Sequence, residues 1–151
     1  MLPEGYQFKK GSSKDTALLV KFMNLTYEEL FPEQKDFSHL AKTVQQYFNK
    51  NTPLWWVIYG SENVACLWAG NAFDQEKGDR HAHIFLLYVK PNHRHQGIAK
   101  ALLEKIQTWA KERGDRQISL MVYQHNQTAL NLYEKLGYKP LSFWLVKQLK
   151  E

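Results

Sequence analysis

One stretch of this chain leaves little choice of fold. An apolar run at residues 81–89 (HAHIFLLYV) passes through a basic junction into a segment where Ile98, Leu102, Ile106 and Trp109 recur at helical spacing; a second apolar run follows at 117–123 (QISLMVY). The two runs read as buried strands and the stretch between them as an amphipathic helix that stops at Gly114. A strand, a helix and a strand in that order bring the second strand back parallel to the first, because the helix carries the chain across one face of the sheet.

The flanking sequence adds strands of the other kind. LWWVIY (54–59) and VACLWAG (64–70) enclose the turn signal GSEN, so they predict an antiparallel hairpin, and the polar stretch 74–80 is a loop. Two helical patterns come earlier, one through Leu18, Leu19, Phe22, Met23 and Leu25, the other through Leu40, Val44, Tyr47 and Phe48 with Ser38 as a cap. NQTALNLYEKLG predicts a short helix stopped by Gly137, and LSFWLVKQL (141–149) a last strand. The sum is an α/β fold: a mixed, mostly antiparallel central sheet with a parallel central pair, flanked by helices. At 151 residues with 44% apolar content, and without a repeat or a linker, residues 1–151 read as one domain.

No apolar run approaches the ~18 residues of a bilayer span, the first residues (MLPEGYQFKKGSS) lack an apolar core, and Cys66 is the single cysteine. These features point to the cytoplasm and to no membrane partner. No group of His and Cys has metal-ligand spacing, so no metal is expected.

The net charge of +5 is local. Between Lys90 and Arg116 lie seven basic and three acidic residues, so most of the excess belongs to the junction and its helix. A turn from a strand into a helix aims several backbone N–H groups at one spot, where the helix dipole also favours negative charge. Gly97 and Ala99 keep that spot bare, and Arg94 adds a forked cation suited to phosphate oxygens. A solvated helix face would carry the same charge. The Walker loop and the dinucleotide fingerprint both need more glycine than Gly97 alone. A nucleic-acid or ribosome-binding module is the competing class, since basic charge and interleaved aromatics make such surfaces. Against it, Trp55, Trp56, Trp68 and Trp109 fall in strand and helix patterns that predict a core.

VKPNHRHQGIAKALL (89–103) resembles the cofactor motif of the GNAT superfamily of N-acetyltransferases, Arg/Gln-x-x-Gly-x-Gly/Ala, through Arg94, Gly97 and Ala99. NQTALNLYEKLGY (126–138) is similar to that family's Asn-x-x-Ala…Tyr-x-x-x-Gly-Phe/Tyr segment through Asn126, Ala129, Tyr133, Gly137 and Tyr138. The resemblance covers residues 81–138. It implies acetyl-CoA, as acyl donor, in a gap between the strands at 81–89 and 117–123. Leu87, Tyr88 and Val89 would pair with its pantetheine arm, and Arg94, His95, Gln96, Gly97, Ile98, Ala99 and Lys100 would surround its diphosphate. Asn126 would bond to the arm, and Tyr133 would face the thioester sulfur as the proton donor. Asn126 would serve equally as a helix cap and Tyr133 as a packing residue.

Some relatives that acetylate protein N-termini carry a glutamate where this chain has Met121, so the base that accepts the amine proton is left among His83, Glu28, Glu29 and water. The implied acceptor is a small-molecule amine or a peptide amino group, with nucleic acid disfavoured and a homodimer left open. A family member that binds the cofactor without catalysis is a further alternative. The acidic stretch 27–36 (YEELFPEQKD) suits a cationic amine, or is only a solvated helix end.

Overall fold

The computed structural model describes residues 1–150 and divides into two compact units, Met1–Met121 and Val122–Glu151. In the first, a five-stranded sheet has the order β1 (Tyr6–Lys10), β2 (Leu54–Tyr59), β3 (Glu62–Phe73), β4 (Arg80–Val89), β5 (Ile118–Leu120). Every neighbouring pair is antiparallel except β4 and β5, which are parallel, as the crossover demands. Helices α1 (Thr16–Leu30) and α2 (His39–Tyr47) precede β2, and α3 (Ile98–Glu112) links β4 to β5.

The alternation of side chains along the strands builds a core on each face. Cys66 and Trp68 of β3, Leu86 and Tyr88 of β4 and Trp56 of β2 pack with Leu19 and Phe22 of α1 and Leu40 and Val44 of α2. Helix α3 packs against β3 and β4, burying Ile98, Leu102, Leu103, Ile106 and Ala110. It ends where Gly114 N–H reaches Lys111 O (3.0 Å) and Asp115 N–H reaches Ala110 O (2.9 Å), a Schellman stop. Trp55, Trp56 and Trp68 are all buried, and Trp109 stacks edge-on with Trp55 at 6.0 Å. These four rings are therefore engaged in the packing that their strand and helix patterns predict. Cys66 is also core, and burial pushes its thiol pKa up.

Phe85 is an extra residue in the β3–β4 ladder: Trp68 faces Leu86 and Ala69 faces Ile84, so the register slips by one between them. Its ring lies on Gly70, where an added Cβ would come within 2.4 Å of Cε2, and it is backed by Trp68 (4.8 Å between centroids) and Tyr47 (5.9 Å). Gly70→Ala should destabilise the protein by about 1–3 kcal/mol, the usual cost of overpacking, read as a lower melting temperature. Gly70→Ala combined with Phe85→Ala should lose less than the sum of the single changes.

Three elements depart from the sequence expectation. β1 forms although Gln7, Lys9 and Lys10 make it a weak pattern; its register against Trp55–Tyr59 supplies the pairing that propensity lacks. β5 is three residues long where seven were expected, because its pairing with β4 stops at Ile84 and Leu120. Residues 141–149 form no strand; among its described residues the second unit contains the helix α4 (Gln127–Lys135) and no strand to complete a ladder.

Candidate functional site

β4 leaves the sheet at Val89 and turns through Pro91–His93 into Arg94, His95, Gln96 and Gly97, the N-cap of α3. Two residues here are left-handed, His95 (φ 64°) and Gly97 (φ 81°). Alternating hands of this kind direct successive N–H groups to one side, the geometry of an anion-binding nest. No side chain caps α3. The first N–H to reach a helical carbonyl is that of Ala101, to Gly97 O at 3.0 Å. The amides of Ile98, Ala99 and Lys100 are left over for a ligand. A Cβ built on Gly97 would meet nothing within 4 Å, so the protein leaves the approach to these amides open.

His95, Gln96 and Lys100 are exposed and Ala99 is half-buried, whereas Ile98 is in the core and can offer a ligand only its main chain. Leu87, Tyr88 and Val89 pair with Leu67, Cys66 and Ala65 on one side. On the other, the ladder to β5 ends at Ile84, so within the Met1–Met121 unit that edge of β4 has no strand partner past the bulge. An extended ligand can add there as a strand does.

The junction is anchored by contacts the sequence did not reveal. Arg94 spreads its fork on Glu29 of α1 (Nη1–Oε1 2.6 Å, Nη2–Oε2 2.8 Å), donates from Nε to Val89 O at 2.8 Å, and lies over the Tyr88 ring. The Arg94 guanidinium holds the Glu29 carboxyl below its usual pKa range, chiefly through these hydrogen bonds. His93 Nδ1 bonds with the Tyr6 hydroxyl (2.8 Å), and Lys90 Nζ donates to Glu62 (2.9 Å). Strands β1 and β3 and helix α1 thereby anchor the turn from outside.

In the second unit, Asn126 caps α4, its Oδ1 accepting from Ala129 N–H at 3.3 Å. The cap leaves the carboxamide N–H donors to spare. Tyr133 sits on α4 against Tyr138, with ring centroids 5.5 Å apart. Gly137 and Tyr138 close the helix through N–H bonds to Glu134 O (3.1 Å) and Tyr133 O (2.9 Å). Burial, then the neighbouring Tyr138, pushes the Tyr133 phenol pKa up to about 12.

Of the candidates for a base, Glu29 is committed to Arg94, and His83 touches Ser119 of β5. Glu28 lies next to Glu29, near the end of α1.

The chain is similar to known acetyltransferases. The model of the acetyltransferase (GNAT) family matches residues 19–138. An uncharacterised N-acetyltransferase of Bacillus subtilis, YdgE, is 28% identical over 82% of this chain and 70% of its own length. N-acetyltransferase family 8 member 2 of Rattus norvegicus is 27% identical over 74% of the chain; the match spans about half of that protein (49%). Among solved structures, a putative acetyl transferase of Pyrococcus furiosus superposes with a TM-score of 0.81 at 23% identity, over 95% of this chain and 99% of the other. A predicted acetyltransferase of Clostridium acetobutylicum, determined with acetyl-CoA, gives 0.76 at 23% identity over 95% and 96%. With the family model covering most of the chain, this chain belongs to the acetyltransferase (GNAT) family.

Proposed function

We propose that the chain is an N-acetyltransferase that moves an acetyl group from acetyl-CoA to a primary amine, on a small molecule or at a peptide or protein amino group, by direct attack with both substrates bound. The uncapped start of α3 behind His95 and Gly97 is the observation that carries this reading. Amides of residues 95–100 hold the diphosphate, with Lys100 adding charge. The open edge of β4 at Leu87, Tyr88 and Val89 takes the pantetheine arm, and Asn126 donates to that arm from the amide its cap leaves over. Tyr133 donates to the departing sulfur. Residues 1–151 act as one catalytic domain in this reading. Bound acetyl-CoA supplies the activated acetyl group; the chain supplies position, a polarising main chain and proton traffic.

No helix among the described residues is long and apolar enough to cross a membrane, and we place the protein in the cytoplasm. Proteins of this fold are named for an aminoglycoside and for ribosomal-protein alanine as acceptors, so the fold alone does not select one. A screen that follows thiol release from acetyl-CoA over polyamines, aminoglycosides and short peptides tests the activity. No thiol release above the protein-free blank with any amine, despite acetyl-CoA binding, would favour a non-catalytic member.

Arg94 has a double role in this reading, because the fork that suits phosphate is spread on Glu29. Glu29→Gln should tighten acetyl-CoA binding at low salt and steepen its salt dependence, since it removes a negative charge and frees the guanidinium. Arg94→Ala should weaken binding and flatten that dependence. Calorimetric titration at two ionic strengths checks both, and equal affinities in the three proteins would remove Arg94 from the diphosphate site.

A further inference from the structure

β4 carries His81 and His83 two residues apart, on the same side of the strand, and the parallel register sets Ser119 of β5 directly against His83. Ser119 Oγ lies 2.9 Å from His81 Nε2 and 2.8 Å from His83 Nδ1. Gln117 Nε2 stands 3.4 Å from His81 Nδ1. His81 is buried at 5% exposure; His83 is half-buried, edge-on to Phe85 at 5.5 Å, and faces a glycine, Gly70, on β3. Two imidazoles closed on one hydroxyl are more than strand packing asks for. We propose that His83 takes the proton from the attacking amine and that Ser119, set between it and His81, holds it in the tautomer able to do so. The assignment rests on the acetyltransferase reading above.

A serine hydroxyl has one hydrogen and two lone pairs, so at most one of the two rings on Ser119 accepts from it and at least one donates to it. With the hydroxyl hydrogen kept inside the cluster, two polarities remain. In one, Ser119 donates to His83 Nδ1, which puts the ring hydrogen on Nε2 and leaves that nitrogen with no lone pair for a proton. In the other, His83 Nδ1–H donates to Ser119 Oγ, Ser119 donates to His81 Nε2, and His83 Nε2 is bare. The Gln117 contact at 3.4 Å lies outside good hydrogen-bond range and does not choose between them. An amine N–H arriving at Nε2 needs an acceptor and selects the second. In that polarity Ser119 has the same orientation before and after proton capture, because imidazolium also donates from Nδ1.

The step balances simply. An ammonium N–H bond breaks, its electron pair stays on nitrogen for attack on the thioester carbonyl, and the proton bonds to Nε2; it returns to water once product has left. Burial first, and then the charge of His81, keep His83 below the usual histidine pKa, so it is neutral and ready near pH 7. His81 is the titratable group beside it. The charged groups at this end of the sheet pair with each other, Arg80 and Arg113 on Asp115, and Arg116 on Asp79. β3 presents Gly70 at this point of the ladder.

Long-range 1H–15N spectra of histidine-labelled protein read the tautomer without any substrate. The expected result is His83 with hydrogen on Nδ1 in the native protein and in Ser119→Thr, and loss of that preference in Ser119→Ala. With an amine acceptor in hand, His83→Gln should lower kcat on the order of 10²-fold, as loss of a positioned base does, at unchanged acetyl-CoA affinity. Ser119→Ala should cost about tenfold, the worth of one hydrogen bond, and move the acidic limb of the kcat profile, with both restored in Ser119→Thr. Hydrogen on Nε2 of His83 in the native protein, or an acidic limb unmoved in Ser119→Ala, overturns the proposal. Failure of the native protein to bind acetyl-CoA would instead overturn the acetyltransferase reading, leaving the spectra to judge the histidine cluster.

Discussion

Acetyl-CoA at a hundredfold excess over its dissociation constant should raise the melting temperature of the native protein by about 5–11 °C and leave that of Gly97→Val unmoved. The first figure is mass action: a ligand held only by the folded state adds about 2.7 kcal/mol at that excess, and a domain of this size gains about 2–4 °C per kcal/mol. The second follows from the local geometry. Gly97 has φ 81°, where a β-branched side chain is strained, and the space above it is empty of protein within 4 Å. A valine there fills the approach to the amides of Ile98, Ala99 and Lys100 that the diphosphate needs. Strain of about 1–3 kcal/mol will lower the variant's own melting point, so the quantity to compare is the ligand-induced shift. Scanning calorimetry of both proteins with and without acetyl-CoA decides it. A native protein that melts at the same temperature at millimolar acetyl-CoA would end the cofactor assignment.

Tyr133→Phe should lower kcat on the order of 10²-fold with acetyl-CoA affinity nearly unchanged, the effect of deleting one donor aimed at developing charge. Burial raises the phenol to about 12, so it is protonated at every pH at which the enzyme would be assayed. It is also a weaker acid than a thiol of pKa ~8.5. In the proposed mechanism Tyr133 would therefore stabilise the departing thiolate by donating a hydrogen bond, since complete transfer of its proton runs uphill. Two consequences separate this from an ordinary general acid. The kcat profile should show no alkaline limb from Tyr133 below about pH 11, and the rate ratio of native to variant should be constant across neutral pH. The ring is retained, so the contact with Tyr138 and the melting temperature should persist. Equal kcat in both proteins would take Tyr133 out of the mechanism, and a large loss of acetyl-CoA affinity would mark it as a wall of the pocket.

The helices α1, α2, α3 and α4, the hairpin of β2 and β3, and the parallel return from β4 to β5 were legible in the residues, because their signals are local. Spacing of Ile98, Leu102 and Ile106 sets a buried face, and Gly114 and Gly137 end helices at the positions that their neighbours' carbonyls require. The same holds for the left-handed, uncapped start of α3: the resemblance of the junction and the conformation of Gly97 both come from a short run of chain.

What the amino acids alone could not show depends on which distant residues meet. Glu29 and Arg94 are 65 positions apart, and only the packing of α1 beside the junction turns a phosphate-type arginine into one partner of an ion pair. His83 is legible only as one candidate base among several, and the cluster emerges only when the β4–β5 register brings Ser119 between it and His81, 36 positions from His83 and 38 from His81. The extent of β5 is decided in the same way, since a strand lasts only as long as its ladder and this one ends at Ile84 and Leu120. By itself, then, the sequence determined the order of elements and the bare amides at Gly97, which follow from backbone preference and short-range periodicity. Only the tertiary structure decided which charges cancel and which ring nitrogen faces which hydroxyl, because hydrogen bonds and ion pairs act over a few ångströms in space and are indifferent to separation along the chain.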